Sequence, residues 1–341
     1  MEPFEGNSAP PPEPPAEPAA ETGAAQNQST PASPPAAASQ DSLSPLSGDP
    51  LSYVASHPEP AFPESSRAVL LPADLRISWS WIHLAIFLFA GLAGLLVVPT
   101  IIALLIAAYT HQSQKQLQEL TANPGFLVAT QVLWFAVVLF FLYMTLAVLR
   151  DAPFWRTLGW RKLPTGAQAG RYKPWMFFAT GSGLAIFVAL AGSRVKDAES
   201  APIEQLFKSP HAALLLMGMA VLVAPLVEET VFRGYLYPLF AGKFSKLAGF
   251  FGLPTFDAVR FGTVSGILIT GILFGLMHGS QLGWNWGLVS LLTLVGIIFT
   301  FARASTGTVL ASFLMHLGYN SMIAVTSILV TKGFTQMPPG H

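Results

Sequence analysis

From Trp79 onward the sequence carries one apolar run after another, each long enough to cross a hydrocarbon core of about 30 Å, which takes about 20 helical residues. The runs cover residues 80–109, 125–149, 174–193, 211–240, 261–280, 285–302 and 308–330. Continuous stretches of that length exclude a membrane barrel, whose strands alternate in polarity over segments of about ten residues. The expected fold class is therefore all-α, a polytopic membrane helix bundle of about seven transmembrane helices. Charge agrees with that reading: 11% of the 341 residues are charged and 52% are hydrophobic, whereas a soluble protein carries about a quarter charged residues. A body facing water on all sides is excluded. The sequence has no cysteine, which removes disulfides, a disulfide-linked partner, thiolate zinc sites, iron–sulfur clusters and a thiol nucleophile. Chemistry must come from Glu, Asp, His, Ser or Lys.

The formal net charge of zero hides an uneven distribution. Residues 1–66 hold nine acids and no Lys or Arg, while residues 67–341 hold all 18 basic residues and the other nine acids, so the two parts carry −9 and +9. Fifteen of the 28 prolines lie in residues 1–66, among Ala, Ser, Glu and Gln. Such a segment buries too little apolar surface to offset its ordering entropy, and the expectation is a disordered tail. The tail lacks the basic start and early apolar run of a secretory signal, so the first apolar stretch is expected to stay as an anchor. The chain thus divides into the acidic Pro/Ala/Ser-rich tail 1–66, three N-terminal transmembrane helices within 67–200, and helices 4–7 within 201–341.

Orientation follows from loop charges. With the N-terminus inside, twelve Lys and Arg fall in cytoplasmic segments and five on the opposite side, six of the twelve between the second and third spans. The expected location is an integral, multi-pass protein of a bacterial cytoplasmic membrane with a cytoplasmic N-terminus.

Ionisable groups inside such spans are costly, about 2.5–3.5 kcal/mol each at a helix centre, and they mark function. The fourth span reads Val223-Ala224-Pro225-Leu226-Val227-Glu228-Glu229-Thr230-Val231-Phe232-Arg233-Gly234. Glu229 and Arg233 are four residues apart, share a helix face and pair in the favourable acid-first order. Glu228 lies about 100° around the helix and is free to face something else. Pro225 deprives the Val221 carbonyl of its α-helical donor and kinks the helix. The fifth span carries Phe274 and His278, the seventh His316 and Asn320, each pair spaced to share a face. Gly271, Gly275 and Gly279 repeat the spacing that lets membrane helices approach closely. A buried ion network that only fixes packing is one reading of these residues. Two histidines, an asparagine and a spare carboxylate on separate helices are harder to explain in that way.

The ordered set Glu228-Glu229-x-x-x-Arg233, Phe274-x-x-x-His278 and His316-x-x-x-Asn320, all on hydrophobic helices, resembles the three motifs of the CPBP family. That family comprises the CAAX prenyl endopeptidases and the bacteriocin-processing or self-immunity proteins also called Abi proteins. The likeness covers about residues 211–330. It implies a hydrolase, an intramembrane endopeptidase, with Glu228, Glu229, Arg233, His278, His316 and Asn320 as its catalytic residues. Peptide hydrolysis needs an activated water, an acid for the leaving amine and donors for the oxyanion. Glu228 would be the general base, Arg233 would hold Glu229 ionised, His278 would share the water, and His316 and Asn320 would donate to the oxyanion.

The cofactor reading is open at this level. Glu228, His278 and His316 are the one-carboxylate, two-imidazole set that a catalytic zinc accepts, as in a metalloprotease, yet no His-Glu-x-x-His helix is present, and a metal-free, glutamate-activated water is the alternative. The partners expected are membrane lipid and a peptide or protein substrate at or in the membrane; no nucleic-acid partner is expected. An idle scaffold of the immunity type and a transporter are the rival classes. One geometric conflict remains in the sequence: Glu228 falls 17 residues from the outer end of span 211–240 and His278 falls 17 from the inner end of span 261–280. The two meet only if those boundaries shift or if residues 241–260 add an interfacial helix.

Overall fold

Backbone amides in hydrocarbon find partners only within their own helix, so the apolar runs have one outcome open to them. The computed structural model describes residues 69–111, 113–121, 123–164, 173–196 and 210–334. Among them seven helices are long and apolar enough to cross a membrane. In chain order, α1 is Trp81–Thr110, α2 the short Gln114–Thr121, and α3 Pro124–Tyr143 with a π-helical extension Met144–Val148. α4 is the single turn Phe154–Thr157 and α5 is Pro174–Gly192. α6 is one long helix in five sections: α-helical Pro210–Gly218, π-helical Met219–Val223, α-helical Ala224–Glu229, π-helical Thr230–Leu236 and α-helical Tyr237–Phe250. Then come α7 (Thr255–Met277), α8 (Trp286–Thr306) and α9 (Val309–Val330). No strand occurs among the described residues. Side chains such as Phe89, Leu104 and Leu190 are more than half exposed, which suits contact with lipid rather than water. The protein is a multi-pass integral membrane protein. The tail 1–66 and the division expected at residue 200 lie outside the described residues.

Five of the seven expected spans coincide with helices to within a few residues. The fourth and fifth do not. α6 continues ten residues past the expected end at 240, and α7 begins at Thr255 rather than 261. Lys243, Lys246, Asp257 and Arg260 lower the local hydropathy where helix and apolar run part company, because long cationic side chains reach out to the membrane boundary while their helix continues. No separate interfacial helix forms between 241 and 260, and a short turn after Phe250 joins α6 directly to α7. Counted from that turn, Glu228 is 22 residues up α6 from Phe250 and His278 is 23 up from Thr255, about 33 Å along each helix. The two are level, which removes the conflict of the provisional spans.

The two π-helical sections of α6 each lead into a proline. Pro225 and Pro238 occupy the second position of the α-helical sections that follow Met219–Val223 and Thr230–Leu236. A proline ring crowds the carbonyl four residues back and offers no N–H; a widened turn relieves the crowding. The register changes with it. The Ala224 N–H bonds to the Met219 carbonyl, five residues back, so the next carbonyl in the series, whose donor would be Pro225, is that of Ala220.

The two largest apolar clusters tie the helices together. One joins Phe87 of α1, Leu142 of α3, Leu158 after α4, Tyr235 and Leu239 of α6 and Phe274 of α7. The other joins Ala185 of α5 to Val295 and Phe299 of α8 and Met315 and Tyr319 of α9. Helices on both sides of residue 200 therefore share a core. Glycines set the closest approaches: a Cβ on Gly181 would overlap the Met315 carbonyl, and one on Gly318 the Phe178 carbonyl, so α5 and α9 meet backbone to backbone. Gly271 and Gly275 of α7 meet Ile297 and Thr293 of α8 in the same way, whereas Gly279 lies beyond α7 and faces Trp284. Replacing Gly181 by Ala is expected to cost about 1–3 kcal/mol through overpacking, read by unfolding in mixed micelles. Gly183→Ala, where an added Cβ meets nothing within 4 Å, serves as the control and should leave stability nearly unchanged.

Candidate active site

The centre of the site is an ion pair buried among apolar helices. Arg233 Nη1 donates to Glu229 Oε1 at 2.7 Å, and both side chains are fully buried. A charge so placed is tolerable only when paired and hydrogen-bonded. Arg233 Nη2 also donates to the Gly296 carbonyl of α8 at 3.1 Å. The guanidinium lies over the rings of Phe274 and Phe299, 4.5 and 5.3 Å from their centroids, a cation–π cradle in the absence of water.

The same Glu229 Oε1 accepts from His316 Nδ1 of α9 at 2.9 Å. A carboxylate can only accept here, so Nδ1 carries the proton and Nε2 faces the other way. It faces Glu228: His316 Nε2 is 3.8 Å from Glu228 Oε2. His278, at the end of α7, repeats the logic. Its Nδ1 lies 2.8 Å from the Phe274 carbonyl, again a pure acceptor, which fixes the tautomer and leaves Nε2 4.0 Å from the same Glu228 Oε2. Glu228 has no guanidinium or ammonium partner among the described residues. Two imidazoles, from the end of α7 and from α9, thus converge on one carboxylate oxygen of α6.

Exposure is graded across this set. Glu229 and Arg233 have none, the His316 side chain keeps 5%, and those of Glu228 and His278 keep 18% and 20%. The polar cluster runs from a dry interior to an accessible rim. Next to it, Trp160 from the segment after α4 donates its indole N–H to Thr230 Oγ1 at 3.1 Å and packs edge-on against Phe313, so that α6 is braced two residues from Glu228.

Of the six expected residues, Glu228, Glu229, Arg233, His278 and His316 form one cluster. Asn320 is placed differently. Its Nδ2 donates to the Ala220 carbonyl of α6 at 2.7 Å, so an amide expected to face an oxyanion is bonded to backbone. In an apolar surrounding a carbonyl without a helical donor takes the nearest one. Sequence reasoning missed Phe299, Gly296 and Trp160. Phe299 and Gly296 sit in a span whose one ionisable residue, Arg303, pairs with Asp74 instead, and Trp160 sits in a loop; only Phe274 carried a signal, through its place four residues before His278.

The fit to a zinc ion can be tested on these distances. Donors about 2.0–2.1 Å from a tetrahedral zinc lie about 3.3 Å from one another. Both imidazoles have the tautomer a metal ligand needs, with Nδ1 bonded to an oxygen. The Nε2–Oε2 separations of 4.0 and 3.8 Å are nevertheless too long, and among the described residues no group of three His, Asp or Glu is arranged to hold a metal. As they stand, Glu228, His278 and His316 do not fit the ion. A hydrogen-bonded water, with contacts of about 2.8 Å on each side, spans such gaps.

Removing one member of the buried pair leaves the other uncompensated, which typically costs 3–5 kcal/mol. Arg233→Met should lower the unfolding free energy by about that much. Adding Glu229→Gln, which keeps an acceptor for His316, should recover at least half of the loss in a denaturant titration.

Residues 210–322 match the family model described as Type II CAAX prenyl endopeptidase Rce1-like. The match, a third of the chain, begins with the first residue of α6 and ends two residues after Asn320, so it takes in all six motif residues. It supports the CPBP and CAAX protease family that the ordered motifs resemble. The comparisons with curated proteins and with solved structures gave no match.

Proposed function

We propose that the Rce1-like segment formed by α6–α9 is an intramembrane endopeptidase that hydrolyses peptide bonds of membrane-associated or lipid-modified substrates. The observation that carries this reading is the convergence of His278 Nε2 and His316 Nε2 on Glu228 Oε2 from separate helices, at a spacing that suits one water molecule.

In this reading the water gives one hydrogen bond to Glu228 and one to the lone pair of His278 Nε2, whose orientation the Phe274 carbonyl fixes. Glu228 takes the proton as the water oxygen attacks the carbonyl carbon of the scissile bond. His316, its Nδ1–H held by Glu229, donates Nε2–H to the oxygen that becomes anionic, a role worth about 3–4 kcal/mol for one well-placed donor. Collapse of the tetrahedral species breaks the C–N bond, and Glu228 returns its proton to the leaving amine. The products are a carboxylic acid and an amine, the acid giving up its remaining proton to the amine or to water on release, and the protein is restored. Arg233 offsets Glu229, so the fully buried pair sums to zero charge. That suits a low-dielectric site, where a net charge is costly.

The reading also accounts for the graded exposure. A substrate peptide needs access to Glu228 and His278 but not to the Glu229–Arg233 pair, which has only to hold His316 in place. No step is routed through a metal.

Glu228→Gln and His278→Ala should each lower cleavage of a membrane-tethered peptide by about 100-fold or more while the melting temperature in detergent stays within a few degrees of wild type. Full cleavage by both variants would end the proposal. Treatment with a strong zinc chelator, followed by metal analysis, should leave wild-type cleavage intact; loss of activity together with one equivalent of zinc would replace the metal-free mechanism by a metal-assisted one.

A further inference from the structure

At the end of the π-helical section Met219–Val223 of α6, the Ala224 N–H bonds to the Met219 carbonyl, five residues back. The next donor in that series is residue 225, and it is proline. The Ala220 carbonyl is therefore left without a main-chain partner, inside a span with no water to satisfy it. Asn320 Nδ2 of α9 donates to this carbonyl at 2.7 Å.

We propose that Asn320 is a positioning residue: its amide replaces the hydrogen bond that Pro225 cannot make, and so fixes the bent stretch of α6 that carries Glu228 against the helix that carries His316. The geometry has two tethers. On α9, His316 and Asn320 stand one turn apart on the same face. On α6, their partners Glu229 and Ala220 bracket the segment from Pro225 to Glu228. With both tethers in place Glu228 has a set height and rotation relative to His316; with only the Glu229 tether, the section between the proline and Glu228 can swing. Breadth of motion matters here, because a misplacement of about 1 Å at a reacting group is enough to cost 100-fold in rate. The amide has a second hydrogen and a carbonyl oxygen still free, yet its orientation is dictated by the backbone of α6 and not by the water site. The proposal assigns Asn320 to the shape of α6 rather than to the oxyanion.

The two roles separate cleanly in a double-mutant cycle, since any residue other than proline at 225 restores an N–H for the Ala220 carbonyl. The test compares wild type, Asn320→Ala, Pro225→Ala and the double variant. Two readouts are taken for each in the same detergent: kcat and KM on a membrane-tethered peptide, and the melting temperature. Asn320→Ala alone should lower kcat at least tenfold with little change in KM, and should lower the melting temperature by several degrees. In the Pro225→Ala background the same substitution should cost less than twofold in kcat and little in melting temperature. An equal loss in both backgrounds would overturn the proposal and return Asn320 to direct contact with the reacting atoms. Pro225→Leu provides a second background should Pro225→Ala fold poorly. The kinetic readout rests on the endopeptidase reading, whereas the melting temperatures do not: if no variant cleaves anything, equal shifts in both backgrounds still refute the tether and unequal ones still support it.

Discussion

Arg233 and Glu229 set the terms on which the rest of the bundle is built. A guanidinium and a carboxylate with no exposure at all have to be surrounded by groups that replace their hydration, and no single helix can supply them. α8 contributes the Gly296 carbonyl, α7 and α8 the rings of Phe274 and Phe299, and α9 the His316 N–H. Four helices are drawn to one point. The glycines at 271, 275 and 296 allow α7 and α8 to come close enough to do so, and the aromatic cradle keeps the pair dry.

That arrangement leaves one carboxylate unclaimed. Adjacent residues on a helix point about 100° apart, so satisfying Glu229 inside the bundle turns Glu228 toward its rim, where the imidazoles of His278 and His316 meet it. Each imidazole is held through Nδ1 by an oxygen that can only accept, and each therefore presents Nε2 to Glu228. Under the proposed reading, neighbouring side chains divide the work: Glu229 and Arg233 form the buried pair that orients His316, while the more exposed Glu228 and His278 are the groups a substrate would meet.

The shape of α6 is a consequence of its prolines. Pro225 and Pro238 each follow a widened π-helical section, a device that spares the proline ring a clash and at the same time shifts the hydrogen-bond register by one residue. The shift leaves the Ala220 carbonyl without a main-chain donor, and Asn320 lies where it can take it. The brace from Trp160 to Thr230 and the burial of Trp79 against Tyr235 support the same helix from the loop after α4 and from the segment before α1.

Apolar run length was enough to read seven crossing helices from the sequence, because hydrocarbon leaves the backbone no other way to satisfy its polar groups. Spacing of four residues was enough to pair Glu229 with Arg233 and to place Phe274 with His278, since those are relations within one helix. The end of α6 and the start of α7 were misread because charged residues near the membrane boundary, Lys243, Lys246, Asp257 and Arg260, lower hydropathy without ending a helix. The partners of Asn320, the tautomers of both histidines and the parts played by Gly296, Phe299 and Trp160 depend on contacts between residues far apart in the chain, and no local pattern encodes them. Sequence alone determined which side chains had to be compensated inside the membrane; the packing of α6 against α7, α8 and α9 decided which groups compensate them, because hydrogen bonds between helices depend on rotation and depth that a linear pattern does not specify.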